Sequence, residues 1–314
     1  MSLISVADLA ASAAELAATA ADPAARPDGP RLRIVDARWY LGEPGRGRAA
    51  YDTGHLPGAI HLDLDADLAD LRMGPGRHPL PDPAAFVAHL GALGIADDDL
   101  VVAYDDVGGW VAARLWWMLD NLGHERIAVL DGGIGAWEAA GHALTTEIPM
   151  WPPARLDLPR STWSRVVDRD ELRGRLGDVV LLDARGAPRY RGETEPIDPV
   201  AGHIPTALNR PVADNLDADG RFLAPEALAR GFVDAGAGGD RDTVTSCGSG
   251  TSACHHALAM RVAGLPDPIL YVGSWSDWST AGFPVAVGEA PGDPPDRNAT
   301  SWGTASVPPI HRNL

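Results

Sequence analysis

The chain alternates short apolar runs with longer stretches in which apolar residues recur at helical spacing. The runs are rich in valine, isoleucine and leucine, and each has the length of a single strand that is buried on both faces. They are LRIVDA, LVVAYD and IAVLD in the first half of the chain, and VVLLDA, DTVTS and PILYV in the second. The stretches PAAFVAHLGALG and VAARLWWMLDNLG predict helices, the second of which ends at Gly123. This alternation predicts an α/β fold, in which mostly parallel sheets are flanked by helices.

The two halves of the chain repeat each other. The segment from Ile34 contains DAR and then GHLP, and the segment from Leu181 contains DAR and then GHIP. Further on, LDGGIGAWEAAGHAL is matched by YVGSWSDWSTAGFPV. A repeat of half the chain is far longer than the roughly 20–50 residues of a solenoid repeat. It therefore indicates a duplicated domain.

The repeat and the distribution of proline predict the domain boundaries. We expect a first domain over residues 1–145, a linker over 146–164, a second domain over 165–290 and a tail over 291–314. The opening sequence MSLISVADLAASAAELAATAADP predicts an amphipathic helix, since it lacks the basic start of a signal peptide.

The amino-acid composition indicates the cellular compartment of the protein and the classes of partner that it can bind. The formal net charge of −17 over 314 residues argues against binding to a nucleic-acid backbone. Two cysteines cannot form a disulfide framework, which favours a reducing compartment, and no segment has the length needed to cross a membrane. We therefore expect a cytoplasmic protein with neither nucleic-acid nor membrane partners.

One cysteine lies where chemistry is expected. Cys247 ends an apolar run and opens the glycine-rich loop CGSGTSA, which leads into a predicted helix. Sites in parallel α/β sheets form at such points, because backbone N–H groups and the following helix N-terminus face a shared crevice. The loop is expected to hold a thiolate or a persulfide on this cysteine through its residues Gly248, Gly250, Thr251 and Ser252.

The first half of the chain provides an internal comparison. Alignment of the two copies places Asp105 opposite Cys247. A carboxylate cannot carry a sulfane sulfur, so we expect the first domain to be catalytically inactive.

The order of these motifs resembles the two-domain rhodanese-like sulfurtransferases, which comprise the thiosulfate and 3-mercaptopyruvate enzymes. The motifs are DAR and GH[IL]P in both halves, with CGSGTSA and GSWSDW only in the second. The resemblance implies two tandem rhodanese-like domains and a persulfide on Cys247. The persulfide would carry sulfur from a small-molecule donor to cyanide, a small thiol or a reduced protein thiol.

The loop sequence also bears on the identity of the sulfur donor. The loop sequence CGSG is more similar to the mercaptopyruvate enzymes, since thiosulfate-preferring members tend to carry basic residues after the cysteine. We therefore expect 3-mercaptopyruvate as the donor. Thiosulfate is an alternative, and so is a non-catalytic role as a sulfur carrier or binding protein.

The resemblance also implies roles for residues outside the loop. Arg189 matches the arginine that binds the carboxylate or sulfonate-like end of the donor. Ser249, His78 and Asp65 match a catalytic proton relay that serves the leaving group.

A second group of residues is expected to support the site structurally. Asp183 and Arg185 recur in the other half of the chain as Asp36 and Arg38. Because the inactive copy keeps them, we expect Asp183 and Arg185 to form an ion pair near the loop.

One position departs from the pattern of the mercaptopyruvate enzymes. A second arginine is expected shortly after the EP that follows RG, but EPIDP places Ile197 there. Arg191 or Arg210 could replace the missing cation. Otherwise the preferred donor differs.

Two other kinds of site are disfavoured. Phosphatases on the rhodanese-like fold need an arginine six positions after the catalytic cysteine, to hold the phosphoryl group. This chain has Ala253 at that position. Cys254, His255 and His256 are consecutive in a predicted helix, so their side chains diverge and cannot converge on one zinc ion. We expect no metal and no cofactor.

Overall fold

The structure is a computed structural model that describes residues 2–21 and 30–296, with side chains described over 2–14 and 30–296. The chain divides into two compact units, here called the first and the second unit. The first unit comprises Met1–Asp70, Pro81–Ser164 and Ala218–Phe222, and the second comprises Leu71–Leu80, Arg165–Asp217 and Leu223–Leu314.

The bounds of these units differ from those of the predicted domains, and the described residues 291–296 of the predicted tail belong to the second unit. Leu71–Leu80 belongs to the second unit and Ala218–Phe222 belongs to the first. Residues 146–164 belong to the first unit instead of standing apart as a linker. One contact that ties them there is Arg33, whose guanidinium lies 4.5 Å from the centroid of the Trp151 ring. Of the predicted tail, residues 297–314 lie outside the described residues.

The first unit contains five strands and six helices within its described residues. The strands are β1 (Leu3–Ile4), β2 (Leu32–Asp36), β3 (Ala59–His61), β4 (Leu100–Tyr104) and β5 (Ile127–Leu130). The helices are α1 (Val6–Ala21), α2 (Arg46–Thr53), α3 (Leu64–Asp67), α4 (Pro83–Ala92), α5 (Ala112–Leu122) and α6 (Gly133–Ala139). The helix predicted near the N-terminus and the end of α5 at Gly123 (φ 97°) are confirmed.

The second unit contains five strands and five α-helices within its described residues. Its strands are β6 (Val166–Val167), β7 (Val180–Asp183), β8 (Leu208–Asn209), β9 (Thr243–Ser246) and β10 (Ile269–Tyr271). Its helices are α7 (Arg169–Arg175), α8 (Ala187–Tyr190), α9 (Pro225–Asp234), α10 (Ser252–Val262) and α11 (Ser274–Trp278), with a 3₁₀ turn at Val212–Asn215.

The two sheets have the same topology. Their strand orders are β1-β5-β4-β2-β3 and β6-β10-β9-β7-β8, and each described strand pairs in parallel with its neighbours. All residues of the central strands β4 and β9 are buried, which explains why their sequences are continuous runs rather than alternating patterns. The predicted α/β fold and the predicted duplication are both confirmed.

Parallel strands direct their carboxyl ends to one edge of the sheet, and the loop after the central strand begins there. Asp105 follows β4 and Cys247 follows β9, so the two residues occupy equivalent positions. The structure thus supports the alignment of the two copies at this point.

In the first unit, this loop encloses the carboxylate of Asp105. One oxygen accepts the N–H groups of Val107 and Gly109 at 2.9 and 2.8 Å, and the other accepts those of Val111 and Ala112 at 2.9 and 3.0 Å. The side chain is completely buried. Burial raises the pKa of Asp105, and the four N–H donors act in the opposite sense by favouring its charged form. The amides of this loop therefore form an anion-binding turn that the chain fills with its own carboxylate.

We expect Asp105→Ala to lower the free energy of unfolding by on the order of 3 kcal/mol, because it leaves buried N–H donors without an acceptor. Chemical denaturation of the purified variant measures this loss. Asp105→Asn keeps one oxygen acceptor and should lose less. The exposed neighbour Asp106 supplies the control Asp106→Ala, and equal stability of the two alanine variants would contradict the assignment.

Candidate active site

Cys247 is held by its backbone in the turn between β9 and α10. Its N–H donates to Ser274 Oγ at 3.0 Å, and its carbonyl accepts the N–H of Trp275 at 3.0 Å. The residue is 2% exposed. The Sγ atom accepts the N–H of Gly250 at 3.1 Å. The sulfur therefore lies inside the loop, with an amide donor directed at it.

At Gly250 the loop passes close to the turn that follows β10. Its φ is +78°, and a Cβ atom there would lie 2.4 Å from the carbonyl oxygen of Val272. Any side chain at this position would push the loop away from β10 and displace the N–H that Sγ accepts. Of the other loop residues predicted at the site, Thr251 is buried beside Gly250 and Ser252 begins α10.

The predicted ion pair between Asp183 and Arg185 is present in the structure. Arg185 donates to Asp183 Oδ2 at 2.6 Å and to the carbonyl of Gly202 at 2.8 Å. Its guanidinium also lies 4.7 Å from the centroid of the Trp275 ring. Burial lowers the pKa of Arg185, but Asp183, Glu195 and the electrostatic interaction with Cys247 outweigh burial and raise it overall. A permanent positive charge therefore acts on the sulfur.

The first unit contains the same arrangement. Arg38 donates to Asp36 Oδ2 at 2.6 Å and to the carbonyl of Gly54 at 2.8 Å. The copy that lacks the cysteine therefore retains the ion pair. Its contacts fit a structural role, in which the arginine links the end of the strand to the glycine carbonyl of the GH[IL]P motif.

Arg189, at the end of the short helix α8, lies between two carboxylates and the loop. Its Nη2 donates to Glu195 Oε1 at 2.7 Å and to Asp198 Oδ2 at 3.2 Å. Its Nη1 would lie 3.5 Å from a Cβ atom placed on Gly248. The side chain is 22% exposed, so a small anion can reach it.

His78 meets the loop at Ser249. The distance from His78 Nδ1 to Ser249 Oγ is 2.7 Å, and Thr251 Oγ1 lies 3.4 Å from the same nitrogen. His78 and Ser249 are 5% and 8% exposed. A buried imidazole and hydroxyl at this distance can transfer a proton to a group bound next to Cys247.

The structure thus brings Cys247, Ser249, His78 and Arg189 together in the second unit. Asp65, the remaining member of the predicted relay, belongs to the first unit, where Trp39 Nε1 donates to Asp65 Oδ2 at 2.8 Å.

Arg191 and Arg210, which could replace the arginine missing at Ile197, contact other residues. Arg191 is paired with the exposed carboxylate of Glu193 at 2.7 Å. Arg210 lies 4.1 Å from the centroid of the Phe232 ring and donates to Asn215 Oδ1 at 2.8 Å.

Sequence reasoning missed Arg77, whose Nη2 would lie 2.9 Å from a Cβ atom on Gly248. The signal that could have identified it is its position directly before His78 in the sequence. It also missed Asp198, whose carboxylate pairs with both Arg77 and Arg189.

Four other residues of these motifs, Trp275, Cys254, His203 and His55, make hydrogen bonds or ring contacts within their own unit. Trp275 Nε1 donates to the carbonyl of Val200 at 3.0 Å, and Cys254 Sγ lies 3.3 Å from the carbonyl oxygen of Gly250. His203 stacks on Tyr190 with ring centroids 3.7 Å apart, as His55 stacks on Tyr51 in the first unit.

Neither a metal cluster nor a membrane helix is found in the described part of the chain. Over these residues, no group of three or more histidine, cysteine or acidic side chains is arranged to hold a metal ion. None of the described helices combines the length and the apolar composition required to span a bilayer.

Comparison with known proteins identifies the family. The model of the rhodanese-like domain matches residues 13–140 and 168–281. A Pseudomonas aeruginosa protein described as a probable 3-mercaptopyruvate sulfurtransferase is 47% identical over 268 residues, which cover 83% of this chain and 94% of that protein. The thiosulfate sulfurtransferase of Cricetulus griseus is 36% identical over 261 residues, covering 80% of this chain and 86% of that protein.

Solved structures agree with this result. The 3-mercaptopyruvate sulfurtransferase from Leishmania major superimposes with a TM-score of 0.71 at 32% identity, covering 79% of this chain and 70% of that one. With both halves matching the domain model and relatives aligned over most of their length, the chain belongs to the rhodanese-like family and is an enzyme of the sulfurtransferase class.

Proposed function

We propose that the enzyme transfers a sulfane sulfur from 3-mercaptopyruvate, through a persulfide on Cys247, to cyanide or to a thiol acceptor. The observation that carries the proposal is the hydrogen bond from the N–H of Gly250 to Cys247 Sγ within a buried loop. An amide donor together with the charge of Arg185 stabilises negative charge on this sulfur, as a nucleophilic thiolate requires.

Sulfur transfer proceeds in two displacements. The Cys247 thiolate attacks the sulfur of mercaptopyruvate, an S–S bond forms, and the C–S bond breaks with its electron pair remaining on carbon. The resulting pyruvate enolate takes up one proton and leaves as pyruvate, while the outer sulfur of the persulfide loses its S–H proton to solvent, so that no net proton is consumed. The acceptor then attacks the outer sulfur of the persulfide, which gives thiocyanate from cyanide or a persulfide from a thiol and returns the Cys247 thiolate.

The enolate leaving group must be protonated, and in our proposal Ser249 and His78 supply the proton. Ser249 Oγ–H can supply the proton, and His78 Nδ1, 2.7 Å away, can replace it. In our proposal Asp65 orients His78, as the sequence resemblance implies. The acceptor can be a small thiol or the reduced thiol of a protein.

Thiosulfate is the second candidate donor, and one observation favours it. Two guanidinium groups, those of Arg77 and Arg189, approach Gly248 of the loop, and a doubly charged anion gains from both. The sulfite that leaves from thiosulfate requires no proton, however, so Ser249 and His78 would have no proton to transfer in that reaction. Mercaptopyruvate uses the hydroxyl and the imidazole as well as the arginines, and for this reason we favour it.

The first prediction concerns the nucleophile. Cys247→Ser should abolish sulfur transfer, because a serine oxygen cannot carry a sulfane sulfur, whereas Cys254→Ser should retain most of it. Thiocyanate formation measures turnover, and a mass increase of one sulfur on the donor-treated protein identifies the persulfide. Comparable losses in the two variants would contradict a single nucleophile. A persulfide that forms without turnover of any acceptor would support the carrier role instead.

A second prediction separates the two donors. Ser249→Ala should lower kcat with mercaptopyruvate by about 10²-fold or more, in the range of general acid–base effects, but should change turnover with thiosulfate much less. Steady-state rates with each donor on the same preparation give the comparison. An equal loss with both donors would argue that Ser249 supports the loop and does not transfer a proton.

A further inference from the structure

A cavity of about 570 Å³ lies at the carboxyl edge of the first sheet. Its lining residues come mainly from the segments that follow β2, β4 and β5, and they include Arg38, Asp106 and Gly132. Asp219 also lines it, from the segment Ala218–Phe222 that belongs to the first unit. Ligands of parallel α/β folds bind at this edge, and small-molecule sites have volumes of roughly 300–1,000 Å³. The copy that lacks the cysteine therefore contains a candidate ligand site of its own.

Arg38 brings one nitrogen without a hydrogen bond to this cavity. Its Nε and Nη2 donate to Asp36, and Nη2 also donates to the carbonyl of Gly54. Within the described residues, Nη1 makes no hydrogen bond, although the residue is only 7% exposed. Burial lowers the pKa of Arg38, but the hydrogen bond and the charge of Asp36 outweigh burial and raise it overall. The guanidinium therefore stays charged and keeps one donor for a ligand.

The second unit shows which group that nitrogen binds in the other copy. Arg185 uses Nε and Nη2 as Arg38 does, for Asp183 and for the carbonyl of Gly202. Its Nη1, however, lies 3.5 Å from the buried carboxylate of Glu195. The two copies thus differ at this one nitrogen, which faces a carboxylate of the chain in the second unit and lines a cavity in the first. A carboxylate is therefore the group that the nitrogen in the first unit is suited to bind.

Three carboxylates, those of Asp106, Glu138 and Asp219, line the same cavity. Asp106 accepts the hydroxyl of Tyr40, and neither Asp106 nor Glu138 forms an ion pair within the described residues. Arg38 is the one cation among the described lining residues. A ligand with more positive than negative charge therefore fits the cavity, provided that it also carries a carboxylate for Nη1.

We propose that the cavity of the first unit binds a basic α-amino acid such as lysine. The carboxylate of the ligand accepts Arg38 Nη1, and its two ammonium groups are held by the carboxylates of Asp106, Glu138 and Asp219. A dicarboxylate would be repelled by these three side chains, and a diamine has no group for Nη1. The inference is independent of the sulfur donor, since the described lining of the cavity includes none of the residues assigned to sulfur transfer.

The test measures binding of L-lysine to the purified full-length chain by isothermal titration calorimetry. Two further probes each lack one charged group of lysine. Cadaverine lacks the carboxylate, and 6-aminohexanoate lacks the α-ammonium group. Comparison of the three compounds shows whether both groups are recognised.

Gly135→Leu blocks the cavity. Gly135 lines it from helix α6, and a Cβ atom at this position would meet no atom within 4 Å. Gly174→Leu is the matched control, because Gly174 lies in helix α7, has equally open surroundings and is not among the lining residues. Leucine favours a helix more than glycine does, so both variants should fold.

Two further variants change the charges. Glu138→Gln removes one carboxylate of the cavity, and Glu125→Gln removes an exposed glutamate elsewhere in the same unit. Arg38→Lys keeps a cation for Asp36 but removes the nitrogen that faces the ligand. Thermal unfolding verifies that each variant is folded.

We expect saturable binding of one lysine per chain, with affinities about 10-fold lower or weaker for cadaverine and 6-aminohexanoate. Gly135→Leu should abolish lysine binding, and Glu138→Gln and Arg38→Lys should each weaken it by about 10-fold. Gly174→Leu and Glu125→Gln should bind lysine as the unmodified chain does.

Three results would overturn the proposal. One is the absence of saturable lysine binding. Another is normal lysine binding by a folded Gly135→Leu chain, which would place the ligand outside the cavity. The third is a comparison probe that binds as tightly as lysine, which would reject an α-amino acid as the ligand.

Discussion

The close approach of the loop after β9 to the turn after β10 is the constraint on which the rest of the site depends. Gly250 passes so near the carbonyl of Val272 that no side chain fits between them. The backbone of Cys247 is fixed on both sides by the residues that begin α11, Ser274 and Trp275. With the backbone fixed in this way, Sγ accepts an N–H from its own loop, and the side chains of the candidate site lie around a sulfur whose position is already determined.

The first unit shows what this turn does when the sulfur is absent. Its loop directs four N–H groups at the carboxylate of Asp105, so the turn itself binds an anion. The fold therefore supplies the electrostatic environment in both copies. The residue after the central strand is a carboxylate in the first copy, Asp105, and a thiol in the second, Cys247.

Buried carboxylates organise a cationic site in a strongly acidic protein. The formal net charge is −17, yet Glu195 and Asp198 hold Arg77, Arg185 and Arg189 at or near the loop. Each carboxylate takes part in more than one ion pair, so it fixes the distances between arginines as well as their orientation. The local positive charge at the loop therefore differs in sign from the net charge of the whole chain.

The sequence by itself determined the α/β fold, the duplication, and the loop at Cys247, because these follow from local patterns: apolar runs of strand length, repeated motifs, and glycines beside a cysteine. His78 and Ser249 came from the resemblance, and the structure places them 2.7 Å apart. Only the tertiary structure decided which cations face the loop. Arg77 and Gly248 are separated by more than half of the chain and carry no shared pattern, and they meet because the segment Leu71–Leu80 packs with the second unit. The sequence likewise could not reveal that Glu195 already occupies two nitrogens of Arg189, because the direction of each donor is set by side chains packed in three dimensions.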